Sequence, residues 1–168
     1  MVILDTDHLW GCGGDYAWVW KAFLQGTNPV FMDPWEGLSH ADTVEIDWLS
    51  PCLYPKNHVP YQLIRKNLGV TRQFSLKINL EKNVPMPELT SSGYCLAHPN
   101  ESYLVWVEAG KYLTLNLRGA PGEYSVEWFN PQTLQTQSAA VINGDDYVVF
   151  KAPFTDDAVL YLKRNINK

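Results

Sequence analysis

Apolar positions along this chain follow two different periods, and the change between them divides it into two parts. In the first part, Val2-Ile3-Leu4 is a short apolar run that ends in Asp5-Thr6-Asp7-His8. A second run, Val30-Phe31-Met32, ends in Asp33-Pro34-Trp35. Between them Tyr16, Trp20, Phe23 and Leu24 recur on one stripe at helical spacing, while Lys21 and Gln25 face away. Asp15 is placed to cap this helix and Gly26 to end it, with Pro29 shortly after. Strand, acidic end, helix, strand, acidic end is the order of a βαβ unit. Its strands run parallel, so their carboxyl ends fall on one rim and acidic residues at both ends would share one pocket. The Trp-rich helix reads as core packing against the sheet.

Residues 36–59 carry Pro51, Pro55 and a scatter of His40, Asp42, Glu45, Asp47 and His58, which reads as a long loop. Pro60 suits the first turn of a helix, and Tyr61, Ile64, Leu68, Phe74 and Ile78 sketch an amphipathic helix to about Leu80, with Gly69 as its weak point. A Pro-punctuated stretch, Lys82 to Pro87, follows and marks a boundary between segments 1–81 and 82–168. Beyond it the period becomes two: Tyr103-Val105-Val107, Leu113-Leu115-Leu117, Tyr124-Val126-Trp128, Tyr147-Val149 and Val159-Tyr161 each alternate with other residues. Turn signals such as Asn130-Pro131 and Asn143-Gly144 separate these runs. Short strands at this spacing predict an antiparallel β-sandwich, so the chain as a whole reads as α+β.

Composition narrows the partners. Charged residues make up 18% of the chain and the net charge is −5 with no basic run, which argues against nucleic acid and anionic membrane. No apolar run approaches the roughly 20 residues of a membrane helix. The cysteines, Cys12, Cys52 and Cys95, are odd in number and widely spaced, giving neither a disulfide framework nor a zinc pattern. Five of the seven tryptophans fall before Ser50, and indole rings suit both cores and sugar-binding clefts. Met1 stands directly against a buried-type strand, so the chain reads as the later part of a longer protein.

At several points the sequence resembles a known family. Asp5-Thr6-Asp7-His8-Leu9-Trp10-Gly11, Trp18-Val19-Trp20-Lys21 and Phe31-Met32-Asp33-Pro34 resemble the last part of the (β/α)8 barrel of apiosidase-like glycoside hydrolases from polysaccharide-degrading bacteria. Ser91-Ser92-Gly93-Tyr94-Cys95-Leu96-Ala97, Ser125 to Pro131 and Phe150-Lys151-Ala152-Pro153-Phe154 resemble the family's carboxyl-terminal sandwich, which is commonly labelled collagen-binding. The resemblance implies a remnant of the last two βα units of a barrel followed by an antiparallel β-sandwich. A complete barrel takes about 250 residues, far more than segment 1–81 holds. The resemblance also implies a bacterial full-length protein that is exported or periplasmic.

Glycoside hydrolysis usually needs two carboxyl groups about 5–5.5 Å apart for retention, or about 6.5–9.5 Å for inversion. Neighbouring strands lie about 4.8 Å apart, so Asp7 and Asp33 suit such a gap. The resemblance places a nucleophile at the first of these strand ends, which makes Asp7, or Asp5, the candidate. His8 would orient a carboxylate or a sugar hydroxyl, and Trp10 or Trp35 would stack on a sugar ring beside Asp33. The competing reading is that Asp5 and Asp33 only bond loop amides. A metal set of Asp5, Asp7, His8, Asp33 and His40 shows no i, i+4 or CxxC spacing, so no metal or other cofactor is expected. In the sandwich, Trp106 and Trp128 would bind carbohydrate or matrix if exposed and form core if buried. Residues 104–107 are apolar on both sides, which predicts burial on both.

These readings converge on a non-catalytic accessory sandwich docked on a barrel remnant. The alternatives are a glycan- or matrix-binding module, and a glycosidase active only when its barrel is completed. Self-association or local rearrangement is expected to protect Val2–Leu4 and Val30–Met32.

Overall fold

A computed structural model of the chain describes residues 2–5, 14–31 and 59–165. The elements of the first part are β1 (Val2–Asp5), α1 (Tyr16–Leu24), β2 (Thr27–Val30) and α2 (Val59–Lys77). Then follow β3 (Val84–Pro85), β4 (Cys95–His98), β5 (Ser102–Val107), β6 (Tyr112–Asn116), β7 (Glu123–Asn130), β8 (Gln135–Asn143), β9 (Tyr147–Lys151) and β10 (Ala158–Arg164). The chain is mixed α+β, with antiparallel sheets in its later part. It forms two compact units, one of residues 1–23 and 27–72, the other of residues 24–26 and 73–168. Among the described residues no helix is long and apolar enough to cross a membrane.

In the first unit β1 and β2 pair in parallel, from Val2 opposite Thr27 to Asp5 opposite Val30. The second strand thus begins before the apolar run that predicts it and accommodates Pro29, whose missing N–H is tolerated because β1 is the strand's one neighbour among the described residues. The Asn28 amide secures the pair by donating to the Val2 carbonyl at 3.1 Å. Asp15 caps α1 as its position predicts, its carboxylate accepting from the Trp18 N–H at 2.7 Å. The helix buries Val19, Trp20, Ala22 and Phe23. Val19 joins Phe31, Tyr61 and Ile64 in an apolar cluster, where the rings of Phe31 and Tyr61 lie 5.2 Å apart.

One polar bond runs through this interior. The Trp20 indole N–H donates to Asn67 Oδ1 at 2.7 Å, and Asn67 Nδ2 donates to the Leu63 carbonyl at 2.9 Å. Indole and amide are both fully buried, so each supplies the partner the other loses with water. Helix α2 runs through Gly69 without a break, on an exposed position where no other element contacts it.

In the second unit six strands form one sheet in the order β3-β4-β5-β10-β7-β8, and β6 pairs with β9 in a two-stranded sheet. Alternate residues of the large sheet, including Tyr103, Val105, Val126, Trp128, Leu160 and Leu162, share a core with Leu113, Leu115 and Phe150 of the small one. Tyr103 meets Tyr124 edge-on, and Trp128 meets Phe150 in the same way. The other face of the large sheet is apolar too: Leu96, Leu104, Trp106, Phe129, Val159 and Tyr161 are all buried. Phe74, near the end of α2, packs edge-on against Phe129 and Tyr161 at 5.7–6.1 Å. One turn further on, Lys77 reaches Glu127 at 2.7 Å and lies over the Phe74 ring. At the other end of this face Gly26 takes a φ of +77°, and a Cβ there would stand 2.9 Å from the Pro85 side chain. The stop signal after α1 is therefore glycine for two reasons, conformation and close approach.

Two core groups are held in their neutral forms. Burial, with a smaller contribution from Glu88, pushes the Cys95 thiol up to about 12. Burial, then Tyr103, pushes the Tyr124 phenol up to about 12. The Tyr124 hydroxyl donates to the Ala120 carbonyl at 3.2 Å.

Removing the amide of Asn67 takes away the acceptor that the Trp20 N–H uses at 2.7 Å. Asn67→Ala should cost about 1–3 kcal/mol in urea denaturation followed by tryptophan fluorescence, against no more than about 0.5 kcal/mol for exposed Lys66→Ala. The raised values in the sandwich fix the sign of its alkaline response. Both groups ionise more readily unfolded, so their contribution is intact through neutral pH and is lost as pH rises from about 9 toward 12. Denaturation midpoints across that range should fall, and the fall should be shallower in Cys95→Ala.

Candidate functional site

The parallel pairing of β1 and β2 brings their carboxyl ends to one edge, with Asp5 directly opposite Val30. This is the rim that the strand–helix–strand order predicts. Asp5 is exposed there. Asp7, His8 and Trp10 after the first strand, and Asp33 and Trp35 after the second, lie outside the described residues. Of the six candidate side chains the structure therefore places Asp5 alone. Among the described residues no group of three or more His, Cys, Asp or Glu could hold a metal ion.

The sandwich tryptophans are placed fully. Trp106 is 0% exposed and Trp128 is 3% exposed. Trp128 lies in the core between the sheets, and Trp106 on the opposite face of the large sheet. Neither ring can stack on a ligand from solvent. β5 is buried at every residue, as its two apolar sides predict.

The exposed aromatic rings of the sandwich lie elsewhere. Tyr112 and Tyr147 are 65% and 50% exposed on the outer face of the β6–β9 pair. Beside Tyr112 is a cleft of about 290 Å³ lined by Ser91, Ser92, Glu108 and Lys111, with Val107 and Leu113 at its base. The alternation of Tyr147 and Val149 marks a strand, which the structure contains as β9, without saying which side faces the core. Val148 and Phe150 point into the core, and Tyr147 and Val149 face out. The run Tyr147-Val148-Val149-Phe150 is apolar at every position, so alternation alone fixes no phase, and pairing with β6 decides it. The signal that could have found this surface is the asymmetry of Leu113 and Leu115 across from it, which leaves Tyr112 facing outward.

No protein-family model matches the sequence, and no curated protein sequence matches it. Solved structures do resemble the fold. A protein described as a glycoside hydrolase superposes with a TM-score of 0.51 at 11% identity, over 66% of this chain and 28% of its own. A glycoside hydrolase family 5 protein from Bacteroides vulgatus ATCC 8482 superposes with a TM-score of 0.53 at 12% identity, over 67% of this chain and 28% of its own. The chain shares the fold of part of these proteins and spans 28% of their length.

Proposed function

We propose that residues 1–81 correspond to the last two strand–helix units of a (β/α)8 glycoside hydrolase barrel of the apiosidase-like kind, and that residues 82–168 are a non-catalytic β-sandwich carried with it. One observation carries this reading: two glycoside hydrolases match about two thirds of the chain in fold while the chain spans little more than a quarter of either. The arrangement of β1, α1 and β2 supports it. Parallel strands are normally covered on both faces and paired at both edges, yet Val2 and Ile3, on opposite faces of β1, are each about 60% exposed. Among the described residues β1 and β2 form a parallel pair with an open face, as two strands of a barrel segment would.

On this reading Asp7, or Asp5, supplies a carboxylate to one side of a sugar pocket. His8 orients it, and Trp10, Asp33 and Trp35 contact the sugar. The opposing groups belong to other barrel strands. Catalysis depends on fixed positions, so one side of a pocket gives little acceleration on its own. The exposed faces of β1 and β2 are covered by self-association of the chain.

Turnover tests the assignment. Across a panel of aryl glycosides the chain alone should release no aryl alcohol above buffer; release abolished by Asp7→Asn would overturn the non-catalytic reading. Sedimentation should show a species larger than the monomer, and a monomer with Val2 and Ile3 still open to solvent would sink the self-association.

A further inference from the structure

We propose that the outer face of the β6–β9 pair, with the cleft beside Tyr112, binds a neutral polysaccharide chain. The inference goes beyond the accessory role above and rests on that reading only for the choice of a carbohydrate. Its basis is the geometry of the face. Pairing sets Tyr112 opposite Lys151, Thr114 opposite Val149 and Asn116 opposite Tyr147, so these six side chains share one surface. The two tyrosines stand at its opposite ends, four strand positions apart, or about 13 Å. A compact ligand would not need both; a chain of sugar units lying along the strands would.

Each end is built in the same way. Lys151 Nζ lies 5.6 Å from the centroid of the Tyr112 ring, and the Arg118 guanidinium lies 4.5 Å from that of Tyr147. A cation on one side of a ring fixes its orientation and leaves the other side for a ligand. Tyr112 and Tyr147 are 65% and 50% exposed, so ring surface remains available to a ligand. An aromatic ring stacks on the C–H face of a pyranose, whose hydroxyls project at the edge and need polar partners.

The cleft supplies those partners beside Tyr112. Glu108 accepts hydrogen bonds from sugar hydroxyls, and Lys111 donates to them. Ser91 Oγ accepts from the Thr114 N–H at 3.0 Å, which leaves its own hydrogen to donate outward. A volume of about 290 Å³ is at the small end of ligand pockets and suits one sugar unit rather than a larger cofactor.

Charge and area select the ligand class. Glu108 and Lys111 offset each other within the cleft, and Arg118 lies 4.0 Å from Asp146. With Lys151 these groups sum to a single positive charge, a weak field that fits a neutral glycan better than a polyanion. Two strands of five residues cover about 17 by 10 Å, far below the roughly 800 Å² per partner of a stable protein interface.

Native gels cast with galactomannan, xylan, hydroxyethylcellulose, polygalacturonate or gelatin test the proposal. At least one neutral polysaccharide should retard the chain. Tyr112→Ala should weaken that retardation about tenfold, and Tyr147→Ala should weaken it too, with circular dichroism unchanged in both. Glu108→Gln should weaken it through the cleft without touching either ring. Retardation by none of the neutral polymers, by polygalacturonate or gelatin alone, or undiminished in any of the three variants would overturn the proposal. Hydrolysis does not enter this readout, so the outcome stands whether or not the barrel segment is catalytic.

Discussion

The constraint on which the second unit depends is that its central strands are apolar on both faces. β5 and β10 alternate two sets of apolar side chains, one with Tyr103, Val105 and Leu160, the other with Leu104, Trp106 and Val159. A single partner sheet can cover only one set. The short β6–β9 pair takes the first, and the second needs its own cover, to which Phe74 of α2 contributes. The Trp20–Asn67 bond plays the corresponding part in the first unit, joining α1 to α2 by a specific polar contact within an apolar interior. It fixes which residues meet, where packing alone would tolerate several arrangements.

Much of this was legible from period and punctuation. The helical stripe with Asp15 and Gly26 at its ends marked α1, and the change to period two after Pro87 marked the sandwich strands. Two kinds of signal failed. β8, Gln135–Asn143, is almost wholly exposed, so nothing in its side chains had to alternate and the sequence offered no strand pattern. The Tyr147 run marked its strand but not its inner face, for the opposite reason, since every position is apolar and the phase is set only by its partner. A strand is readable when one face is buried and the other is not; both extremes erase the pattern.

The site was less legible than the fold. The order of elements placed two carboxyl ends on one rim, and the pairing of Asp5 with Val30 puts those ends together. A site on that rim would draw on groups far apart in sequence, and local pattern carries no information about them. In the sandwich, tryptophan was the more conspicuous residue, but its size is also what makes it valuable in a core. The rings that remain in water are the tyrosines, which cost less to leave there.

The position of Phe74 bears on how such a protein can be assembled from parts over evolutionary time. A sandwich exchanged at the proline-rich connection near Lys82 would leave behind the ring that meets Phe129 and Tyr161, and the lysine that meets Glu127. A new host would have to offer a helix end of matching chemistry at the same place. An exchange that keeps these contacts has to carry the last turns of the helix along with the sandwich, and so cannot be cut at the linker itself.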